Sequence, residues 1–177
     1  MRAGLALRSL TIVVLIPGTV AVFVPLQILQ ADGGIAWPRL DAASVPAVGL
    51  VLFGFSILLR CVWDFFAQGK GTLAPFDPPK HLVVSGLYRF TRNPMYNGVL
   101  AALVGEAWLF RSTALLEYAG AVFILFHVFV VAYEEPALAS QFGASYRVYR
   151  GAVPRWGFAL RPFRPSNPGV VRAEEEG

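Results

Sequence analysis

The sequence predicts an all-α, polytopic membrane protein with about four transmembrane helices and short cytoplasmic C-terminal helices. Composition comes first: hydrophobic residues fill 56% of the 177 positions and charged residues 15%, where soluble domains carry about 25% charged residues. Mean hydropathy is +0.57. Second, uncharged stretches recur at lengths that suit a bilayer crossing. Third, lysines and arginines concentrate in alternate connections. The net charge of +4 is not gathered into a basic low-complexity run, so it reads as leaflet bias and not as a nucleic-acid footprint. Cys61 is the only cysteine; it excludes an intramolecular disulfide and reads as a small buried hydrophobe.

Taking the elements in order, no ionisable side chain lies between Arg8 and Asp32. Residues 9–29 meet the length of about 20 apolar residues that a spanning helix needs. A cleaved signal peptide, with Arg2 and Arg8 as its charged start, is the rival reading. The long apolar stretch and the missing small-x-small cleavage site favour an uncleaved span, kinked by Pro17 and Pro25. A loop follows over 32–41. A second span covers 42–66, where Arg60 and Asp64, four apart, are placed to pair at the membrane edge. Clustered glycines and prolines make 67–85 an ordered loop.

Asn93-Pro94 opens a third apolar segment that runs to Phe110 and contains Glu106. Proline suits the first helical position and asparagine the cap before it, so Asn93 is the predicted N-cap. After Arg111-Ser112 a fourth segment extends to Tyr133, carries Glu117 and His127, and is expected to end at Glu134-Glu135-Pro136. Two short helices, 137–142 and 146–150, are expected on either side of Gly143. Residues 165–177 read as a disordered tail. The organisation is thus an N-terminal helix pair (1–66), a core (67–164) and a tail (165–177). Arg2 and Arg8, the connection with Lys70, Lys80, Arg89 and Arg92, and the arginine-rich C-terminal region all fall on one side if four spans alternate. The positive-inside rule makes that side cytoplasmic, with both termini there.

This topology brings Gly86 to Tyr96 and Glu134-Glu135 to one membrane face. At a helix C-terminus the two glutamates sit against partial negative charge and call for cations; taken alone they would be a polar stop at headgroup level. The third helix offers its N-terminus, beside Arg89 and Arg92, as an anion site; taken alone those arginines would merely snorkel. Together the two ends suit a ligand with an ammonium, a carboxylate and an aromatic part.

Several spaced motifs carry a family resemblance: Gly69-Lys70-Gly71-Thr72 with Pro75 and Pro78-Pro79, Leu82-Val83-Val84-Ser85-Gly86-Leu87-Tyr88-Arg89, Arg92-Asn93-Pro94-Met95-Tyr96 with Gly98, Glu134-Glu135-Pro136, and Phe142-Gly143 with Tyr146, Tyr149 and Val153-Pro154-Arg155-Trp156. In this order they resemble the isoprenylcysteine carboxyl methyltransferase and phospholipid methyltransferase superfamily, over roughly residues 50 to 158. The resemblance implies an integral membrane methyltransferase, in the bacterial inner membrane, that binds S-adenosylmethionine from the cytosol, releases S-adenosylhomocysteine and admits a lipophilic substrate from the bilayer. It implies a cofactor site of His81, Leu82, Val83, Gly86, Tyr88, Arg92, Asn93, Pro94 and Tyr96, completed by Glu134 and Glu135. Where the family's better-known pattern has Arg-His-Pro this chain has Arg92-Asn93-Pro94, and an asparagine is no base near neutral pH.

Arg92, Glu135, Arg147 and His127 are the candidate catalytic residues, and no metal is required. Methyl transfer is an in-line displacement that needs alignment and exclusion of water. A carboxylate or thiolate acceptor needs only positioning, for which Arg147, Arg150 or Arg155 is placed; an amine or thiol needs a base, for which His127 or a glutamate is the nearest offer. His127 lies seven residues before Glu134 and shares its helix face, or else bonds Glu106 across the helix pair. His81 reads equally as solvent-facing. Membrane lipids and a lipophilic or prenylated substrate are the expected partners, with no nucleic acid. The acceptor and the oligomeric state stay open. Two alternatives compete: a sterol-reductase-like oxidoreductase using a nicotinamide, and a four-helix transport or scaffold protein without chemistry.

Overall fold

The structure is a computed structural model and describes residues 15–33, 38, 41–68, 82 and 84–164, with the backbone alone for 65–68. The expected tail 165–177 and most of the loop expected at 67–85 lie outside the described residues. Everything regular is helical, and no strand occurs among the described residues. Helix α1 is Leu15–Ala31, α2 Ser44–Gln68, α3 Pro94–Phe110, α4 Thr113–Phe129 and α5 Glu135–Ala152.

Local chemistry sets the boundaries. Asp41 Oδ1 accepts from the Ser44 amide at 3.0 Å while the Asp41 amide donates to Ser44 Oγ at 3.2 Å, a reciprocal cap at the start of α2. Arg111, at φ 52, turns the chain out of α3, and Ser112 Oγ caps α4 by accepting from the Leu115 amide at 3.2 Å. Between Pro17 and Pro25 α1 widens into a π turn over Thr19–Phe23, which takes up the disruption that prolines impose on an α-helix.

One boundary differs from expectation. Glu134-Glu135-Pro136 does not end the fourth segment: a π turn over Val130–Glu134 joins α4 to α5, and helix continues past the glutamates as far as the kink at Gly143. The Glu135 amide reaches back to the Val130 carbonyl, one residue farther than in an α-helix, and this wider turn accommodates Pro136, which has no amide to donate. The glutamates therefore sit inside a continuous helix and not at a C-terminal dipole end. The break expected at Gly143 is present as a kink within α5, at φ 46 and ψ −119.

Small residues form the seam between α2 and α3. A Cβ on Gly54 would lie 2.6 Å from both the Ala102 amide nitrogen and the Gly98 carbonyl oxygen, and one on Gly105 would lie 2.7 Å from Val51 Cγ2. Backbones this close gain dispersion along their whole length, the usual device of helices packing in lipid. Ala21, Leu58, Val99, Leu103, Ala119 and Val122 fill the centre of the bundle.

The outer faces are apolar and open: Leu59 is 70% exposed, Leu125 65% and Ile124 63%. A soluble protein does not leave an apolar surface of this extent in water, so these faces point to membrane association. Two of the described helices, Ser44–Asp64 and Thr113–Ala152, are long and apolar enough to cross a bilayer, against the four expected. Helix α3 stops at 17 residues because Pro94 and the left-handed Arg111 fix its ends, and α1 is described over a similarly short apolar length. Arg60 and Asp64 pair as anticipated, at 3.0 Å.

The seam gives a sharp expectation. Gly54→Ala should lower the thermal midpoint of the detergent-solubilised protein by an amount equivalent to about 2 kcal/mol or more, because the clash is with backbone that cannot rotate away. Gly49, whose added Cβ would meet nothing within 4 Å, should tolerate Ala without loss. Thermal unfolding of the two variants side by side is the check.

Candidate functional site

Three segments meet at one end of the bundle: the turn leading into α3, the π turn with the start of α5, and the chain from 153 to 164. The first begins at Gly86, where a 3₁₀ turn over Gly86–Arg89 starts with φ 56. A side chain there would be strained, and its Cβ would lie 2.5 Å from Asp64 Oδ2. Glycine is the residue that lets this turn rest against α2. Farther on, Thr91 is fully buried, and its hydroxyl accepts from Asn97 Nδ2 at 2.9 Å.

The third segment lies across the first as a strap. The Arg92 amide donates to the Pro154 carbonyl at 2.9 Å, the Ala159 amide to Phe90 at 2.8 Å and the Phe163 amide to Arg89 at 2.8 Å. Side chains reinforce it: Arg89 Nε donates to the Phe163 carbonyl at 3.0 Å and Asn97 Nδ2 to the Gly157 carbonyl at 3.2 Å. Asn93 occupies the predicted cap position of α3 but makes no side-chain cap bond. Its Nδ2 donates instead to the Arg155 carbonyl of the strap at 3.1 Å, so the side chain ties α3 to the strap.

At the junction sits Glu135, 6% exposed. Arg155 grips it with Nε on Oε1 at 2.5 Å and Nη2 on Oε2 at 2.9 Å, and Arg92 Nη1 donates to Oε1 at 2.8 Å. Arg92 is itself held, by the Val153 carbonyl at 3.0 Å and the Tyr146 hydroxyl at 3.3 Å. Burial alone would raise the Glu135 carboxyl; the Arg155 hydrogen bonds and the charges of Arg92, Arg155 and Arg150 reverse this and hold it below its ordinary 4.5. A carboxyl depressed in the folded state stabilises the fold above its unfolded value, and that contribution is lost as pH falls through the depressed one.

Glu134, one residue earlier, has different company. Tyr96 Oη donates to its Oε1 at 2.6 Å, and among the described residues it enters no ion pair. Burial raises its carboxyl, the Tyr96 bond opposes this, and the charge of Glu135 raises it further. The Tyr96 ring rests on Phe126 with centroids 4.5 Å apart. Tyr88 lies within electrostatic reach of Glu134, Asp64 and Tyr149, its phenol raised first by burial, and its carbonyl accepts from Tyr149 Oη at 2.7 Å.

Of the remaining candidates, Leu82 packs beside Tyr146, Tyr149 and Val153, Pro94 is buried at the start of α3, and His81 and Val83 lie outside the described residues. Arg147 is exposed on α5, and the place beside Glu135 is taken by Arg155. His127 does not bond Glu106: Trp156 Nε1 donates to His127 Nδ1 at 3.1 Å, and Glu106 Oε2 is buried with no hydrogen-bond partner among the described residues. Trp156 reaches α4 because the strap carries it there. Tyr146 and Thr91 emerge as members of the cluster that the sequence reading did not assign; the Tyr-x-x-Tyr spacing of Tyr146 and Tyr149, both buried, was the available signal for one of them.

Residues 43–145 match the phospholipid methyltransferase family, more than half of the 177-residue chain. The protein belongs to this family. No curated protein and no solved structure matches the chain. The matched region runs from the start of α2 into α5 and so includes Arg92, Tyr96, Glu134 and Glu135, while the strap lies beyond it. Membership of the phospholipid methyltransferase family, with its apolar helices, makes this protein a membrane methyltransferase.

Arg92→Ala should destabilise the solubilised protein by about 2 kcal/mol, since it removes one charged hydrogen bond from a Glu135 that keeps Arg155, and Glu135→Gln by about 3 kcal/mol or more, since it leaves two arginines without their carboxylate. Arg147→Ala should have no such effect. Thermal unfolding in detergent separates these outcomes, and equal midpoints for all three variants would contradict the arrangement.

Proposed function

We propose that the protein is an integral membrane enzyme that uses S-adenosylmethionine to methylate a lipophilic or small thiol, carboxylate or amine acceptor at the cytoplasmic membrane face. The observation that carries this reading is the inequality of the two glutamates. Glu135 is neutralised by two arginines, whereas Glu134 is a half-buried carboxylate with a tyrosine but, among the described residues, no cation. A cationic ligand fits that imbalance, and S-adenosylmethionine is cationic at both its sulfonium and its ammonium.

When bound, the cofactor supplies an electrophilic methyl on sulfur. In this reading Glu134 receives its ammonium, and the rings of Tyr88 and Tyr96 offer faces to its positive and aromatic parts. Arg92 and Glu135, spent on each other, hold the start of α3 and the π turn at a fixed separation. Such positioning is most of what an in-line displacement asks of a protein. The strap, packed by Tyr146, Tyr149 and Phe163, helps keep water out. The positive-inside count supports a cytoplasmic placement of this end, in a bacterial inner membrane.

Glu134→Gln should weaken S-adenosylmethionine binding at least tenfold in calorimetric titration while leaving the thermal midpoint close to wild type, a charged hydrogen bond being worth about 1.5–3 kcal/mol. Because the Glu134 carboxyl is raised above 4.5 and a bound cation favours its ionised form, affinity should tighten as pH rises through its titration, and this dependence should vanish in the variant. Absence of saturable binding to the wild type, or tighter binding of a nicotinamide cofactor, would overturn the proposal.

A further inference from the structure

The sequence offers His127 as a general base, and the strap gives it a different part. Trp156 Nε1 carries a hydrogen and no lone pair, so it can only donate. His127 Nδ1, at 3.1 Å, must therefore be the unprotonated nitrogen of a neutral ring, and the ring's hydrogen sits on Nε2. A doubly protonated ring would set N–H against N–H, and the opposite tautomer would do the same. The contact is built in: the His127 and Trp156 planes lie 25° apart with centroids at 6.1 Å, and Phe123 flanks both, 5.9 Å from His127 and 5.4 Å from Trp156. No charged side chain among the described residues bonds His127, so nothing else competes for Nδ1.

Position adds the second strand of the case. His127 precedes Glu134 by seven residues, about 10 Å along the axis, with the π turn over Val130–Glu134 intervening, on the side toward the apolar half of the helix. Phe126, the residue before His127, packs against Tyr96, which bonds Glu134. A lipid acceptor with its reactive group near Glu134 would extend past His127.

We propose that Trp156 fixes His127 as an Nε2–H hydrogen-bond donor that holds a headgroup oxygen of a phospholipid acceptor, so that His127 orients the acceptor and takes no proton from it. Trp156 is then a positioning residue, acting through His127. A proton leaving an amine acceptor on methylation goes to another group or to water, and the sulfur carries away the bonding pair.

This rests on the methyltransferase reading, and one set of experiments separates the two. Nitrogen-15 NMR of the full-length, histidine-labelled protein in detergent, with His127 assigned by its loss in His127→Gln, should show the Nε2–H tautomer with Nδ1 accepting. Trp156→Phe, which keeps the aromatic wall and removes the donor, should abolish that single-tautomer signature. In methyl transfer from labelled S-adenosylmethionine to phosphatidylethanolamine vesicles, His127→Leu should raise the acceptor KM about tenfold with kcat and the cofactor KM little changed. His127→Gln, whose amide still donates, should stay within about threefold of wild type.

An Nδ1–H ring in the wild type, or a spectrum that Trp156→Phe leaves unchanged, overturns the lock. Loss of kcat in His127→Gln equal to that in His127→Leu shows a base and overturns the orienting role, as does an unaltered KM in both variants. If S-adenosylmethionine fails to bind at all, the methyltransferase reading falls and takes the acceptor contact with it, while the NMR spectrum still decides the tautomer. If the cofactor binds but no methyl reaches the vesicles, the phospholipid contact alone is refuted.

Discussion

The fold of the functional end depends on one buried ion cluster, Glu135 between Arg92 and Arg155. Each member comes from a different segment: Arg92 from the turn into α3, Glu135 from the start of α5 and Arg155 from the strap. A carboxylate taken out of water costs several kcal/mol unless its oxygens are matched by good donors. Here Oε1 receives two and Oε2 one, with Tyr146 and the Val153 carbonyl occupying further donors of Arg92. Removing the Glu135 segment would leave two arginines without a carboxylate, and removing either arginine segment would strip Glu135 of part of its donor set. The cluster specifies which three pieces of chain meet far more tightly than the surrounding leucines and valines do.

Adjacent glutamates take opposite parts because of helix geometry. Successive residues on a helix point about 100° apart, and the π turn ending at Glu134 changes the phase between α4 and α5. One carboxylate thus faces the strap and its arginines, and the other faces Tyr96 on α3. Had the helix ended at Pro136, both would have hung from a frayed terminus with equal access to cations and to water.

Much of this was legible in the chain. Long uncharged runs gave the helices, Asn93-Pro94 the start of α3, Gly143 the kink, and the four-residue spacing of Arg60 and Asp64 their ion pair. The spaced motifs carried the family. What escaped was decided by contacts between distant segments. A proline after two glutamates is a local stop signal, and only a π turn stabilised within the bundle carries the helix past it. Asn93 has the right identity for a cap, yet its side chain is used to donate through Nδ2 to the Arg155 carbonyl of the strap. The contacts of Arg155 with Glu135 and of Trp156 with His127 exist because ladder bonds lay residues 153–164 over 89–97, and no periodicity records such a crossing. The third segment was read as a full span because it carries no charge but Glu106, although its 17 residues from Pro94 to Phe110 fall just short of the usual length.

The helix that runs from Thr113 through the π turn and past Glu135 also acts as a depth gauge. At 1.5 Å per residue, Glu134 lies about 30 Å from Thr113, close to the thickness of a bilayer's hydrocarbon core. With its first residue at one boundary of that core, the helix delivers the two carboxylates to the other. A helix interrupted at Pro136 would let the site bob relative to the lipid; a continuous one ties its height to the membrane itself. Under the proposed methyltransferase reading, acceptor groups at headgroup level would come within reach by default, and those held deeper or farther out would be filtered by distance before any pocket has to recognise them.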